Sequence, residues 1–524
     1  MSVKKALPEA LVNGSVMDFD SALKVVGEYG SEQKKYLYAF SLLNFFIPMQ
    51  IIGLVFIGRE PPVTCQNPHS ESACSSTDVC NKYIYGNEFT SIVSEWDLVC
   101  DKSYKVSQLQ SYLMVGVLLG NFVFGGMSDY IGRRSSFIFA LIGLAVVANL
   151  SAFTHSLFFF CFLRICIGFF VGGVGMVAYV TINECVGSSQ KVFAGSMFQG
   201  VFSIGIMGFA LMANFLRDWR YLVVASSFPF CFFIFIYWIV PESSRWLASQ
   251  GRISEAEDIL LYIAHKNGNE VKKSAIELVV PSKTISSTKS YGYTDLLKTP
   301  VLRKEMLIQA FSWFTCSLVY YGLTLSAGDI ASNAYISVAL SGLVEIPGIF
   351  FCVWCMDSLG RRKCMCLSMI TGGFSCFLVI AFSQSGEFGK SVSVVFALIG
   401  KMGLSAAFSV VYIYSCELIP TVVRNSGIGF CSICARIAGI LAPMATSLGF
   451  FNMYALFGFT SVISGVLNLK LPETFGMTSP ESIDDVENRT TNKQPTSTTM
   501  VDSETVHDME ERISMLQNTD TSVT

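Results

Sequence analysis

The chain has 524 residues, of which 52% are hydrophobic and only 14% charged, with a mean hydropathy of +0.51. That is too little charge to cover a water-facing surface, and a net charge of −3 leaves no electrostatic footprint for nucleic acid. The composition is that of a polytopic membrane protein.

The first 35 residues are polar and form an expected cytosolic N-terminal segment (1–35). The apolar run that follows exceeds the roughly 7–15 residues of a signal-peptide core, so Tyr36–Ile57 reads as a first span and its own targeting signal. Taking about 20 predominantly apolar residues per span, the first half continues with Val106–Met127, Ser135–Phe153, Leu157–Ile182, Val192–Leu216 and Tyr221–Val240. The second half reads Met306–Leu325, Ala334–Met356, Cys364–Phe382, Val392–Ser415, Ile428–Phe450 and Asn452–Leu471. The organisation is therefore 36–240, a cytosolic central loop 241–304, then 305–471 and a tail 472–524.

Within the hydrophilic stretch 58–105, Cys65, Cys74, Cys80 and Cys100 form an even set that reads as two disulfides in an oxidising space, with three connectivities open. The other cysteines lie in or beside apolar runs, where cysteine behaves as a small hydrophobe. In the central loop, acids followed by apolar residues at helical spacing over 254–261 predict a short helix, and Ser282–Ser290 a flexible linker. The tail is rich in Ser, Thr and acids and is expected to be disordered.

Three short patterns recur at nearly one offset. Asp129, Gly132, Arg133 and Arg134 are echoed by Asp357, Gly360, Arg361 and Arg362; Glu184 by Glu417; and Pro241-Glu242 by Pro472-Glu473. The offsets are 228, 233 and 231 residues, the mark of a duplicated six-span unit. Lysine and arginine concentrate in alternate short loops, which puts both termini inside and the cysteine loop outside; Arg217 and Arg220 are the exception. Asp129 and the arginines, with Glu184, Glu417, Glu242 and Arg245, are candidate gate residues, because a carboxylate at a helix end can bridge to a neighbouring helix.

Charges inside spans are costly and usually functional. Arg164, Glu345, Lys401 and Arg436 are such charges. Arg436 has no local acid, and its planar fork suits a carboxylate, either a ligand's or that of Glu345. Lys401 reads either as a ligand or as an anchor snorkelling from the outer end of its span. Tyr179, Phe202, Tyr320, Tyr321, Phe408 and Tyr412 supply aromatic faces for a bulky organic ion. No His falls inside a span and neither a zinc-protease nor a Walker pattern occurs, so neither an enzyme nor an ATP-driven pump is expected. No cofactor or metal is expected; a coupling ion, Na+ or H+, is left open.

The two loop motifs with twelve spans and a central loop resemble the major facilitator superfamily. Within it, Ser94–Cys100, Pro241–Leu247 and Glu417–Asn425 are similar to the organic cation, carnitine and organic anion transporters. The resemblance implies an all-α membrane protein of two pseudo-symmetric six-helix halves, the major facilitator fold, in the plasma membrane. It implies a small organic ion as partner and a site at Tyr179, Phe202, Tyr320, Tyr321, Lys401, Phe408, Tyr412 and Arg436. Members specific for simple cations carry aspartate at the position of Arg436, whereas carnitine-type and anion-type members carry arginine. The stretch 400–412 looks most like the carnitine and zwitterion branch. Ile349 stands where anion carriers use a second lysine, Tyr130 replaces the usual basic residue of the loop motif, and Met49 replaces a polar residue of the carnitine branch. The expected function is transport of carnitine-like zwitterions, organic cations or both by alternating access. An organic anion carrier and a transporter-like receptor are the alternatives.

Overall fold

The computed structural model describes residues 19–65, 83–269, 271, 278, 293–329, 333–477, 480 and 482–491. Among the described residues, twelve helical segments are long and apolar enough to cross a membrane. Spans 1 to 6 are Ser31–Ile57, Cys100–Ile131, Arg133–Ser151, Leu157–Cys185, Lys191–Phe215 and Trp219–Ile239. Spans 7 to 12 are Pro300–Gly328, Ala334–Leu359, Arg361–Ser383, Phe388–Leu418, Ser426–Thr446 and Phe450–Asn468. Each coincides with an apolar run, but several helices extend beyond it. Span 7 starts at Pro300 rather than Met306, because proline is preorganised for the first helical position and a turn bearing Arg303, Lys304 and Glu305 needs no apolar surroundings.

Two buried cores correspond to the duplication. One is built from residues before Leu278, the other from residues after Leu296, with Ala327 and Val338 crossing to the first. Small residues set the closeness of packing. Gly116 and Gly120 of span 2 face Gly168 and Gly172 of span 4, and a Cβ at Gly116, Gly120 or Gly168 would overlap the opposing backbone.

Breaks in the helices have identifiable causes. Span 1 is divided near Phe45–Phe46 and again at Ile52–Gly53, around Pro48. Span 6 is divided before Pro229. Span 8 is interrupted at Val344, three residues before Pro347, whose missing N–H leaves a carbonyl of the preceding turn free. Glu345 lies at that interruption, fully buried.

At the end of the bundle bearing the cysteine loop, β1 (Val63–Cys65) pairs antiparallel with β2 (Tyr83–Tyr85), Cys65 opposite Tyr83. Cys65 and Cys100 are both disulfide-bonded, while Cys74 and Cys80 lie outside the described residues. Glu95 of this loop accepts from the Trp219 indole at 2.9 Å and pairs with Arg220, which also donates to the Thr154 carbonyl at 2.7 Å. Arg220 therefore ties the loop to the ends of spans 3 and 6. This accounts for a basic residue that charge counting alone could not place.

At the opposite end, Phe19–Val26 forms an amphipathic helix packed on the central-loop helix Ile253–Lys266, the element predicted over 254–261. The expected linker Ser282–Ser290 lies outside the described residues. The tail departs from expectation. Ile483–Thr491 is helical, Val486 is buried, and Glu487 accepts from the Val301 and Leu302 amides at 3.0 and 3.2 Å. Composition pointed to disorder, but a carboxylate at the positive end of the span 7 helix anchors this segment. Beyond Thr491 the tail is outside the described residues.

Candidate substrate site and charge clusters

The halves meet along spans 2 and 11 and along spans 5 and 8. Ser111 donates to the Ile440 carbonyl at 2.8 Å, Phe56 stacks on Tyr335 with ring centroids 5.4 Å apart, and Ser203 donates to Glu345 at 2.6 Å. These contacts lie at the middle of the bundle and toward the cysteine-loop end. Toward the loop-motif end, facing side chains become accessible: Tyr179 of span 4 is 41% exposed and Tyr412 of span 10 is 36% exposed. Gly126, Gly175 and Gly200 there face open space. The interface therefore encloses a cavity that opens toward the loop motifs.

One wall of that cavity is aromatic. Phe408 and Tyr412, one helical turn apart, have ring centroids separated by 6.0 Å. Tyr320 stands 5.6 Å from Phe408 and 5.5 Å from Tyr321, and Trp313 packs 4.2 Å from Tyr412. Tyr321 touches both cores. On the side of the N-terminal half, Phe202 is half-buried in span 5, and Tyr179 packs on Phe198 with ring centroids 6.0 Å apart. The spacing of Phe408 and Tyr412 was visible in sequence; Trp313 was missed because one tryptophan in an apolar run looks like any other core residue.

The charges are partnered differently from what local sequence suggested. Lys401 is 2% exposed and does not snorkel. Its ammonium lies 3.1 Å from Glu345, 3.3 Å from the Tyr320 carbonyl, against the Thr324 hydroxyl, and 3.2 Å from the centre of the Tyr320 ring. Glu345 therefore neutralises Lys401, not Arg436, and through Ser203 it also reaches the other half. Arg436 is half-buried in span 11. With the Asn121 amide assigned in the orientation that satisfies both its ends, its oxygen accepts from the Arg436 Nε at 3.0 Å and Nη at 3.3 Å, and its nitrogen donates to the Gly172 carbonyl. Among the described residues no carboxylate pairs with this guanidinium. Asn121 was not singled out in sequence, since one Asn in a span carries no signal until the partner helix is known.

Each loop motif closes a cluster within its own half. Arg133 pairs with Asp129 and, at 2.9 Å, with Glu184 of span 4. Glu242 accepts from the amides of Arg133 at 2.9 Å and Arg134 at 3.1 Å, placing a carboxylate at the start of span 3. Arg134 donates to the Tyr237 carbonyl at 3.0 Å and lies over its ring. Gly132 has φ +104°, and a Cβ there would overlap the Glu242 carboxylate, so the motif needs glycine twice over. The second cluster repeats the plan: Arg361 meets Glu417 at 3.1 Å, Glu473 accepts from the Arg361 and Arg362 amides at 2.7 and 3.2 Å, and Gly360 has φ +84°.

The copies are not identical. Asp357 is exposed and makes no pair with Arg361, which instead donates to the Met356 carbonyl at 3.2 Å and covers Phe475. Arg245, a candidate gate residue, pairs with Asp20 of the N-terminal helix; its neighbour Trp246 donates to the Asp129 carbonyl at 2.9 Å. Glu473 was part of a recognised repeat, yet its capping role emerges only from the fold.

Two repeated six-span halves in the same orientation, with helix-end charge clusters and a cavity between them, define a major facilitator transporter, a carrier rather than an enzyme. The sequence profile of the "Sugar (and other) transporter" family matches residues 63–482. The chain belongs to this family and, within it, to solute carrier family 22. It is 37% identical to solute carrier family 22 member 15-like of Xenopus laevis, over 90% of this chain and 96% of that protein. It is 34% identical to the organic cation transporter protein of Drosophila melanogaster, over 90% and 95% of the respective chains. In fold it is similar to the inward-open xylose transporter XylE of E. coli, with a TM-score of 0.60 at 16% identity, covering 87% of this chain and 98% of that one.

Proposed function

We propose that this protein moves carnitine-like zwitterions, organic cations or both across the plasma membrane by alternating access, with both termini cytosolic. The observation that carries the reading is Arg436: a half-buried guanidinium at the interface of the halves whose described partner is a neutral amide. A substrate carboxylate completes it, while the cationic or aromatic part of the substrate rests on Tyr320, Tyr321, Phe408 and Tyr412 in one half and Tyr179 and Phe202 in the other. Glu345 and Lys401 cancel each other inside the wall. That leaves Arg436 as the charge for a substrate carboxylate to answer. One relative is an organic cation transporter protein by name, which supports the cationic part of the reading.

The test is an uptake panel in cells expressing the chain, comparing a carnitine-like zwitterion, tetraethylammonium and an aromatic dicarboxylate, each with and without sodium. Saturable zwitterion uptake is expected. Preference for the dicarboxylate overturns the substrate class, and absence of transport for all three favours a receptor. The sodium arm and a parallel proton gradient assign the coupling ion.

For the gate, the unequal clusters give a sharp expectation. Asp129→Asn removes a partner of Arg133 and slows turnover, with substrate KM little changed. Asp357→Asn, at an unpaired exposed position, leaves turnover within about twofold. Equal losses from the two substitutions contradict the assignment, and so does a loss confined to KM.

A further inference from the structure

Arg164 of span 4 is 3% exposed, and among the described residues no acid pairs with it. The acids of spans 1–6 are Glu32, Asp101, Asp129 and Glu184, all at helix ends. One Nη donates to Gln110 Oε1 at 3.1 Å, and Gln110 is itself held by the Ile51 carbonyl at 2.7 Å. The Arg164 Nε is buried without a hydrogen-bond partner. Arg164 lines a small cavity within the half, with Gln50, Ser151, Phe160 and Ser226, that has room for about one water-sized particle. An uncompensated buried charge costs several kcal/mol, and a lone water leaves the charge in place. A cation is repelled. What remains is a small anion accepting from the guanidinium and from the second N–H of the Gln50 amide, whose first is donated to Ser226 at 3.3 Å.

We propose that this cavity binds a single halide-sized inorganic anion, of the chloride class, as the counter-ion of Arg164. It is separate from the substrate cavity, because its lining comes from spans 1, 3, 4, 5 and 6 alone. Bound there, the anion holds spans 1 and 4 to the rest of the half whatever the substrate is.

The purified full-length protein is melted in sodium chloride, sodium bromide and sodium gluconate at equal ionic strength. The expected result is a melting temperature several degrees higher in the halides, saturating with their concentration. Gln110→Glu places a fixed carboxylate on the guanidinium, so its melting temperature becomes independent of halide. A halide-independent wild type overturns the proposal, as does a halide shift retained in Gln110→Glu. Independently of folding in the variant, bromide-soaked wild-type crystals should show anomalous density beside Arg164; only a water there overturns the proposal.

Discussion

Uptake of a carnitine-like zwitterion is expected to collapse in Arg436→Ala while the protein still reaches the cell surface. Truncating one member of a hydrogen-bonded charge pair typically costs about 2–5 kcal/mol. The lower bound alone raises the apparent KM about thirtyfold. The loss should be specific to carboxylate-bearing substrates. Tetraethylammonium, which has no group for the guanidinium, should be transported as well or better once the positive charge is gone. Arg436→Lys should restore uptake only in part, since an ammonium keeps the charge but loses the two-pronged geometry. The vacated Asn121 amide still has Gly172 as a partner, so the fold is not expected to suffer. Zwitterion uptake with an unchanged KM in Arg436→Ala sinks the assignment.

The second large effect is on stability. Glu345→Gln leaves the Lys401 ammonium buried with a hydroxyl, a carbonyl and an aromatic face but no counter-charge. Breaking a buried pair on one side costs about 3–5 kcal/mol, whereas replacing both members by neutral groups of similar size is often close to neutral. Equilibrium unfolding in mixed micelles should therefore rank wild type near Glu345→Gln with Lys401→Met, and both well above either single variant. The cycle isolates the pair because each substitution removes the same interaction. Ser203→Ala should cost far less, about 1 kcal/mol, as it removes a single hydrogen bond to the carboxylate. If the double variant is no more stable than the singles, the pair is not what holds this wall together. A transport defect in Ser203→Ala at normal stability would add that Glu345 senses the approach of the other half.

Both effects bear on alternating access. Each loop-motif cluster binds helices of its own half, so the clusters stiffen two bodies rather than clasp one to the other. Besides the packing of span 2 on span 11 and of span 5 on span 8, the contacts that cross between the halves include Ser111 to Ile440, Ser203 to Glu345, Arg436 to Asn121 and Phe56 on Tyr335. Two rigid bodies joined by such contacts at one end are suited to rocking about the buried middle, where Glu345 and Arg436 lie.

How much of this was legible in the sequence depended on distance along the chain. The spans were legible because the bilayer demands about 20 apolar residues whatever their neighbours. The duplication and its paired motifs were legible because an acid, a glycine and two arginines recur at one spacing, and Gly132 and Gly360 do hold positive φ. The Phe408 and Tyr412 pair followed from helical periodicity alone. Charge pairing was not legible. Lys401 and Glu345 lie 56 residues apart and meet only because spans 8 and 10 pack side by side. Glu345 was one partner open to Arg436, the other being a ligand carboxylate, because the sequence offered no other intramembrane carboxylate in that half. The fold gave that carboxylate to Lys401 and faced Arg436 with Asn121 of the opposite half. The tail helix shows the same limit in reverse: its composition is that of a disordered segment, and Glu487 is ordered by a helix end nearly two hundred residues upstream.

By itself, then, the sequence determined that this protein crosses the membrane twelve times, that it is a doubled unit, and which residue types a site and a gate are made from. Those properties are set by local hydropathy and by short motifs, which act over one or two helical turns. Only the tertiary structure decided which charge is neutralised inside the wall and which is left facing the cavity. Electrostatic partnership in a low-dielectric interior is set by through-space distance, and the chain brings those groups together only when the helices pack.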